Sequence, residues 1–178
     1  MDVGLLLLRV LIGVLLAAHG AQKLFGWFAG HGLRGTADFL ESLGWRPGRV
    51  FAVLLGTAEL AGGLALAFGA GTPVAVGVII AVLANAARIV HRPHGLWNTD
   101  GGYEYPLVLM GSALAVAVTG PGRFSIDHLA GWHPSPALGA VLALGVGVIG
   151  WLAGDSARDA GIAGLFRRPP FGGLRPST

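Results

Sequence analysis

The chain reads as an all-α integral membrane protein, a four-helix transmembrane bundle followed by a fifth transmembrane helix. Composition is the first reason. Of 178 residues, 53% are hydrophobic and 12% charged, with a mean hydropathy of +0.68, whereas soluble domains carry about 25% charged residues. The second reason is the recurrence of long apolar runs divided by Gly/Pro and charged loops, starting with Val3 to Phe28; about 20 apolar residues cross about 30 Å of hydrocarbon. The third is where the rare charges fall. On a helical wheel Arg9, Gly13, Gly20 and Lys23 lie within about 80° of one another. Ionisable groups inside a span face a partner or a cavity, and glycines let helices approach closely. That face points into the bundle.

Composition also excludes classes. The net charge is +3 with scattered arginines, and no basic patch interleaved with aromatics suggests nucleic-acid binding. Cysteine is absent, so disulfides, thiol redox chemistry and thiolate metal sites are excluded for this chain alone. The first run has no basic region before it and carries Arg9 within it, so it is expected to be retained as a helix, not removed as a secretory signal. Arginine replaces lysine everywhere but at Lys23, a usage that suggests a GC-rich bacterial genome.

The polar connection Ala29 to Arg49 follows, and within it Thr36 to Leu43 is expected to form a short amphipathic helix at the interface, with Phe39, Leu40 and Leu43 on its apolar side. The second span, Phe51 to Phe68, holds one charge, Glu59, among Gly56, Gly62 and Gly63. A turn at Gly69 to Pro73 leads into the third span, Val74 to Val90, where Gly77, Ala81, Asn85 and Arg88 share a stripe. His91 to Gly102 is a polar loop. The fourth span, Tyr103 to Val118, carries Glu104 and ends at Gly120-Pro121-Gly122. A charge-free fifth segment, Pro136 to Leu152, precedes an Arg/Pro/Gly-rich tail, expected to be disordered. The domains are therefore 1–129 for the four-helix unit, 130–154 for the extra helix and 155–178 for a basic cytoplasmic tail. Arg34, Arg46, Arg49, Arg92, Arg158, Arg167, Arg168 and Arg175 fall on one side and Arg123 alone on the other, which places the N-terminus outside and the C-terminus in the cytoplasm.

Depth at about 1.5 Å per residue places Arg9 about 9 Å, and Glu59 about 15 Å, from the outer ends of their spans. Arg9–Glu59 is thus expected as a buried, structural ion pair, with Lys23 about 15 Å too deep to join it. Lys23 and His19 fall instead at the inner level reached by Asn85, Arg88 and Glu104, with Tyr103 and His91 alongside. His19, Lys23, Asn85, Arg88 and Glu104 together suit a polar head group such as a quinone, whose carbonyls need donors and whose reduction needs a proton relay. Lys23 and Arg88 are as readily explained by snorkelling. A bis-histidine haem between His19 and His91 is disfavoured. His94, His128 and His133 are loop residues outside any HExxH pattern, so no metal is assigned. Gly145 to Gly150 matches GxGxxG but sits in an apolar helix with no βαβ unit. Gly150 and Gly154 suit a helix contact instead.

Four pieces in order carry a family resemblance. They are Arg9…Gly13…His19-Gly20…Lys23-Leu24…Gly26, then Glu59-Leu-Ala-Gly62-Gly63, then Gly95-Leu-Trp-Asn98…Gly101-Gly102-Tyr103-Glu104-Tyr105, and Gly120-Pro121-Gly122-Arg123-Phe-Ser125-Ile-Asp127. Over Val3 to about Leu129 the chain resembles the DoxX family of small bacterial membrane proteins. The resemblance implies a four-helix bundle in the plasma membrane. It also implies an accessory or quinone-interacting subunit of a redox or oxidative-stress system, partnered by a redox or sulfur-transfer enzyme. The alternative is a non-catalytic scaffold that recruits cytoplasmic enzymes. The extra helix and basic tail depart from the family's four-span plan.

Overall fold

The computed structural model describes residues 2–166, all helix and connection, with no strand among them. Helix α1 (Asp2–Phe25) leads to a short α2 (Gly32–Ser42) and then α3 (Gly48–Phe68). Helix α4 (Thr72–Ala86) continues through a π turn at Ala87–His91 and a 3-10 turn at Arg92–His94. A second 3-10 turn (Asn98–Asp100) precedes α5 (Glu104–Thr119), the single-turn α6 (Ile126–Leu129) and the long α7 (Pro136–Phe166). Four helices are long and apolar enough to cross a membrane: α1, α3, α4 with its extension, and α7. Helix α5 is apolar but has 16 residues, about 24 Å of rise, shorter than the other four.

α1, α3, α4 and α5 close a ring in which each packs on the next, and α7 lies outside it against α4 and α5. The core is filled by Ile12 and Leu16 of α1, Leu66 of α3, Val76 and Ile79 of α4 and Val116 of α5. Outside, Leu7, Leu11, Leu54, Val108, Val141 and Ile149 are exposed. Large aliphatic residues both inside and out suit a bundle solvated by lipid, where hydrophobicity does not distinguish inside from outside and packing brings the helices together.

Glycine sets that packing. A Cβ on Gly13 would stand 2.4 Å from the Gly63 carbonyl oxygen and 2.6 Å from the Ala67 nitrogen. Seven residues on, a Cβ on Gly20 would stand 2.4 Å from the Leu60 nitrogen and 2.6 Å from the Gly56 oxygen. Two turns of α1 therefore lie backbone to backbone with two turns of α3. The stripe Gly77–Ala81–Asn85 of α4 meets α7 in the same manner: Gly77 faces Val146, Gly150 faces Ala81 and Gly154 faces Asn85. In the GxGxxG-like run Gly147 and Gly150 are helix contacts, against Ile80 and Ala81, whereas nothing lies within 4 Å of a Cβ at Gly145.

Two expectations are corrected. Helix α7 does not stop before a disordered tail at residue 155; it runs on to Phe166. Its continuation is held by Trp45 Nε1 donating to the Gly154 carbonyl (2.9 Å), by Arg158 Nε donating to the Leu43 carbonyl (2.8 Å) and by Gly161 packed on Gly44. Residues 167–178 of the expected tail lie outside the described residues. Helix α2 turns its apolar side to the protein, with Leu40 buried against Trp45 and Ala52 of the α3 start. Phe39 instead points away, half exposed.

The Asp2 end of the bundle is tied by Asp127. Its carboxylate accepts from the Gly71 N–H (2.7 Å), the Thr72 N–H (2.9 Å) and the Thr72 hydroxyl (2.7 Å), and its own N–H donates to the Gly69 carbonyl (2.8 Å). Gly71 carries no side-chain cap, so Asp127 satisfies the free N–H groups at the α4 N-terminus from across the fold.

Candidate functional site

Three polar centres stand in this frame. The first couples α1 to α3: Lys23 Nζ lies 2.5 Å from Glu59 Oε2, with the side chains 26% and 7% exposed. The expected Arg9–Glu59 pair does not form. The glycine contacts bring Arg9, not Val3, level with Gly69, a slip of about six residues or about 9 Å from the depth count. Glu59 then lies opposite residue 19, and Lys23 is about one turn, roughly 6 Å, further along α1, within reach of a lysine side chain. His19 is on the open side of α1.

Arg9 is the second centre. It is fully buried beneath the loops of the Asp2 end, where Nη2 donates to the Phe124 carbonyl. Its charged neighbour is Asp127. A Cβ on Gly69 would fall 1.8 Å from Arg9 Nη1, and Gly69 has φ +65°, so both the arginine and the turn require glycine there. Arg9 and the Gly120–Asp127 motif thus form one fastening of the α3–α4 turn.

The third centre lies at the opposite end, where α4 meets α5 and α7. Arg88 pairs with Asp155 of α7 and stands 5.7 Å over the Trp151 ring, a cation–π distance. Asn85 Nδ2 donates to the Ala81 carbonyl (3.0 Å) and packs on Gly154. Glu104 accepts the Asn98 N–H (3.0 Å). The motif from Gly95 to Tyr105 folds on itself, with Tyr103 N–H donating to Gly95 O (3.2 Å) and Glu104 N–H to Leu96 O (2.8 Å). Between these pieces opens a groove of about 660 Å³, with Arg88, Arg92 and Tyr103 as its polar groups and Ala84, Leu107, Met110 and Trp151 among its apolar ones. The π turn that carries Arg88 widens α4 here; such turns are frequent at functional sites.

Of the five residues expected to share one site, the groove includes Arg88 alone. Lys23 is engaged by Glu59, Asn85 by its own helix and α7, Glu104 by the loop, and His19 stands on the surface of α1. Arg92, Trp151 and Asp155 belong to the groove and its rim without having been singled out. Trp151 and Asp155 are four residues apart, one helical face, a signal present in the sequence. The Asp127 cap had no comparable local signal, because its partners lie more than 50 residues away.

The sequence model of the DoxX family matches residues 4–92 of the chain. The chain is similar to "Putative oxidoreductase CatD" of Bacillus subtilis (strain 168), at 29% identity over 126 residues covering 71% of this chain and 86% of that protein. It is also similar to "Inner membrane protein YqjF" of Escherichia coli (strain K12), at 30% identity over 128 residues covering 72% and 92%. No solved structure matches.

Proposed function

The chain belongs to the DoxX family, and we propose that it is a quinone-interacting accessory subunit of a bacterial membrane redox system, with the quinone head group seated in the groove between α4, α5 and α7. One observation carries the reading: a cavity of about 660 Å³ that joins two guanidinium groups and a phenol to apolar walls. Cofactor-sized sites commonly have this volume and this mixture. Quinone carbonyl oxygens accept hydrogen bonds, and Arg88, Arg92 and Tyr103 supply donors. A guanidinium also stabilises the negative charge that grows on such an oxygen as electrons arrive. Trp151 offers a flat face to the ring, and Leu107 and Met110 lead the isoprenoid tail toward lipid. With no cysteine in the chain, no thiolate-bound iron–sulfur centre is available within it, and the electrons come from a partner enzyme. A relative named as an oxidoreductase supports the reading.

Mass spectrometry of the organic extract of gently purified protein tests it. Wild type is expected to retain quinone near one per chain, above a membrane-protein control. Arg92→Ala and Tyr103→Phe should lose it, while His19→Ala, outside the groove, should keep it. Quinone at the control level in wild type would reject the site and favour the scaffold role.

The same end of the bundle gathers the exposed Arg34, Arg46, Arg49 and Arg92, with Arg158 on α7, against Arg123 at the other. We assign the groove end to the cytoplasm on this charge asymmetry. Because the chain lacks cysteine, Ser42→Cys and Leu129→Cys are each a unique label. A membrane-impermeant maleimide applied to intact spheroplasts should modify Leu129→Cys and spare Ser42→Cys; the reverse pattern would invert the orientation.

A further inference from the structure

We propose that His128 and His133, at the Asp2 end of the bundle and remote from the groove, form an open two-histidine site for a borderline transition-metal cation such as Zn²⁺, Ni²⁺ or Cu²⁺. The two imidazoles meet edge to face, with ring centroids 5.0 Å apart and planes at 63°. A metal–nitrogen bond of about 2.0–2.1 Å and a ring nitrogen about 1.1 Å from its centroid put two imidazoles on one tetrahedral ion about 5 Å apart, centroid to centroid. The observed separation is therefore within what two imidazoles sharing one ion need.

Both residues are exposed, so an ion reaches them without opening the fold. Their backbone is fixed beforehand. Ser125 Oγ accepts the His128 N–H (3.1 Å). Gly131 N–H donates to the His128 carbonyl (3.1 Å) and Trp132 N–H to the Asp127 carbonyl (2.9 Å), and Asp127 is itself fastened to Gly71 and Thr72. The chain between the two histidines is thus a turn anchored in the bundle. The loop histidines His91 and His94 bond their Nδ1 atoms to the carbonyls of Gly101 and Val90. Among the described residues no such bond engages either ring of the pair.

Neutral imidazole suits Zn²⁺, Ni²⁺ and Cu²⁺, whereas Mg²⁺ and Ca²⁺ want oxygen ligands. Among the described residues no third histidine or carboxylate joins the two, so the remaining coordination positions belong to water or to an incoming ligand. The site therefore exchanges its metal and does not lock it into the structure.

Trp132, next to His133, is a built-in reporter, because bound Ni²⁺ or Cu²⁺ quenches a neighbouring indole. The tag-free full chain in detergent should show saturable quenching with one equivalent of Ni²⁺, reversed by Zn²⁺ and not by Mg²⁺, and abolished in Trp132→Phe. Removing one arm of a two-point attachment removes its avidity, so His128→Asn or His133→Asn should each weaken binding by about a hundredfold. His31→Asn, an exposed histidine elsewhere, should bind as wild type. Wild-type affinity in either single variant, or uptake spread over several equivalents, would overturn the site and leave the rings as a simple stacked pair.

Discussion

A leucine at Gly13 is expected to prevent the bundle from assembling, while the same change at Gly4 leaves it intact. The two positions lie on one helix and the substitution adds the same apolar side chain, so hydrophobicity and helix propensity cancel. What differs is the space: nothing lies within 4 Å of a Cβ at Gly4, whereas at Gly13 it would meet Gly63 O at 2.4 Å and Ala67 N at 2.6 Å. Those atoms are backbone of a rigid helix and cannot rotate aside. Overpacking in soluble cores costs about 1–3 kcal/mol, occasionally more, and there the hydrophobic effect still drives association. In lipid it does not, and α1 and α3 are held by close packing. A loss of at least about 3 kcal/mol is expected, read as a collapse of thermal stability in detergent and an aggregated elution profile. Gly13→Ala should fall between the two. If Gly13→Leu unfolds with wild type and elutes as wild type, the helices do not pack at these glycines.

The same contacts explain what the sequence could and could not reveal. The spans were legible because an apolar run of bilayer length needs no knowledge of its neighbours; all five long segments appear as helices, four near the expected bounds and the fifth running past its expected end to Phe166. The inward stripe Arg9–Gly13–Gly20–Lys23 was legible from helical periodicity alone. The register of α1 on α3 was not. Counting from span ends assumes the helices begin level, but α1 overshoots the α3–α4 turn, and which of 31 glycines interlock is a property of surfaces. That slip exchanged Glu59's partner and turned Arg9 into a fastening for the Gly69 turn.

The candidate groove shows a related limit. Its donors Arg88 and Tyr103 sit where depth counting placed them, at the junction of the third and fourth spans. Its third wall was hidden by charge. Asp155 and Arg158 look like the exit of a span into a polar tail, whereas in the fold they bind Arg88 and the Leu43 carbonyl and carry the helix onward. A charge at the end of an apolar run marks a boundary only if nothing across the bundle complements it.

Lys23→Met is expected to destabilise the protein more than Glu59→Gln does, and the double variant Lys23→Met/Glu59→Gln should recover much of the loss. Glu59 is 7% exposed, in the middle of α3, and its cation is a lysine 26% exposed near the end of α1. Removing the lysine leaves a carboxylate where water cannot reach it. Breaking one partner out of a buried pair costs about 3–5 kcal/mol, mostly the penalty of the stranded charge. Removing the glutamate strands a lysine two residues from the helix end, whose long stem can carry its ammonium to the interface, so the cost is smaller. Neutralising both leaves no stranded charge, and in the α1–α3 seam the glycine contacts remain. Thermal unfolding of the four proteins in one detergent completes a double-mutant cycle, in which the two single losses exceed the loss in the double variant. Equal melting of Lys23→Met and wild type would mean that Glu59 is neutralised some other way. Additive losses would mean that the pair makes no energetic contact across the helices, and Arg9 would return as the partner to test.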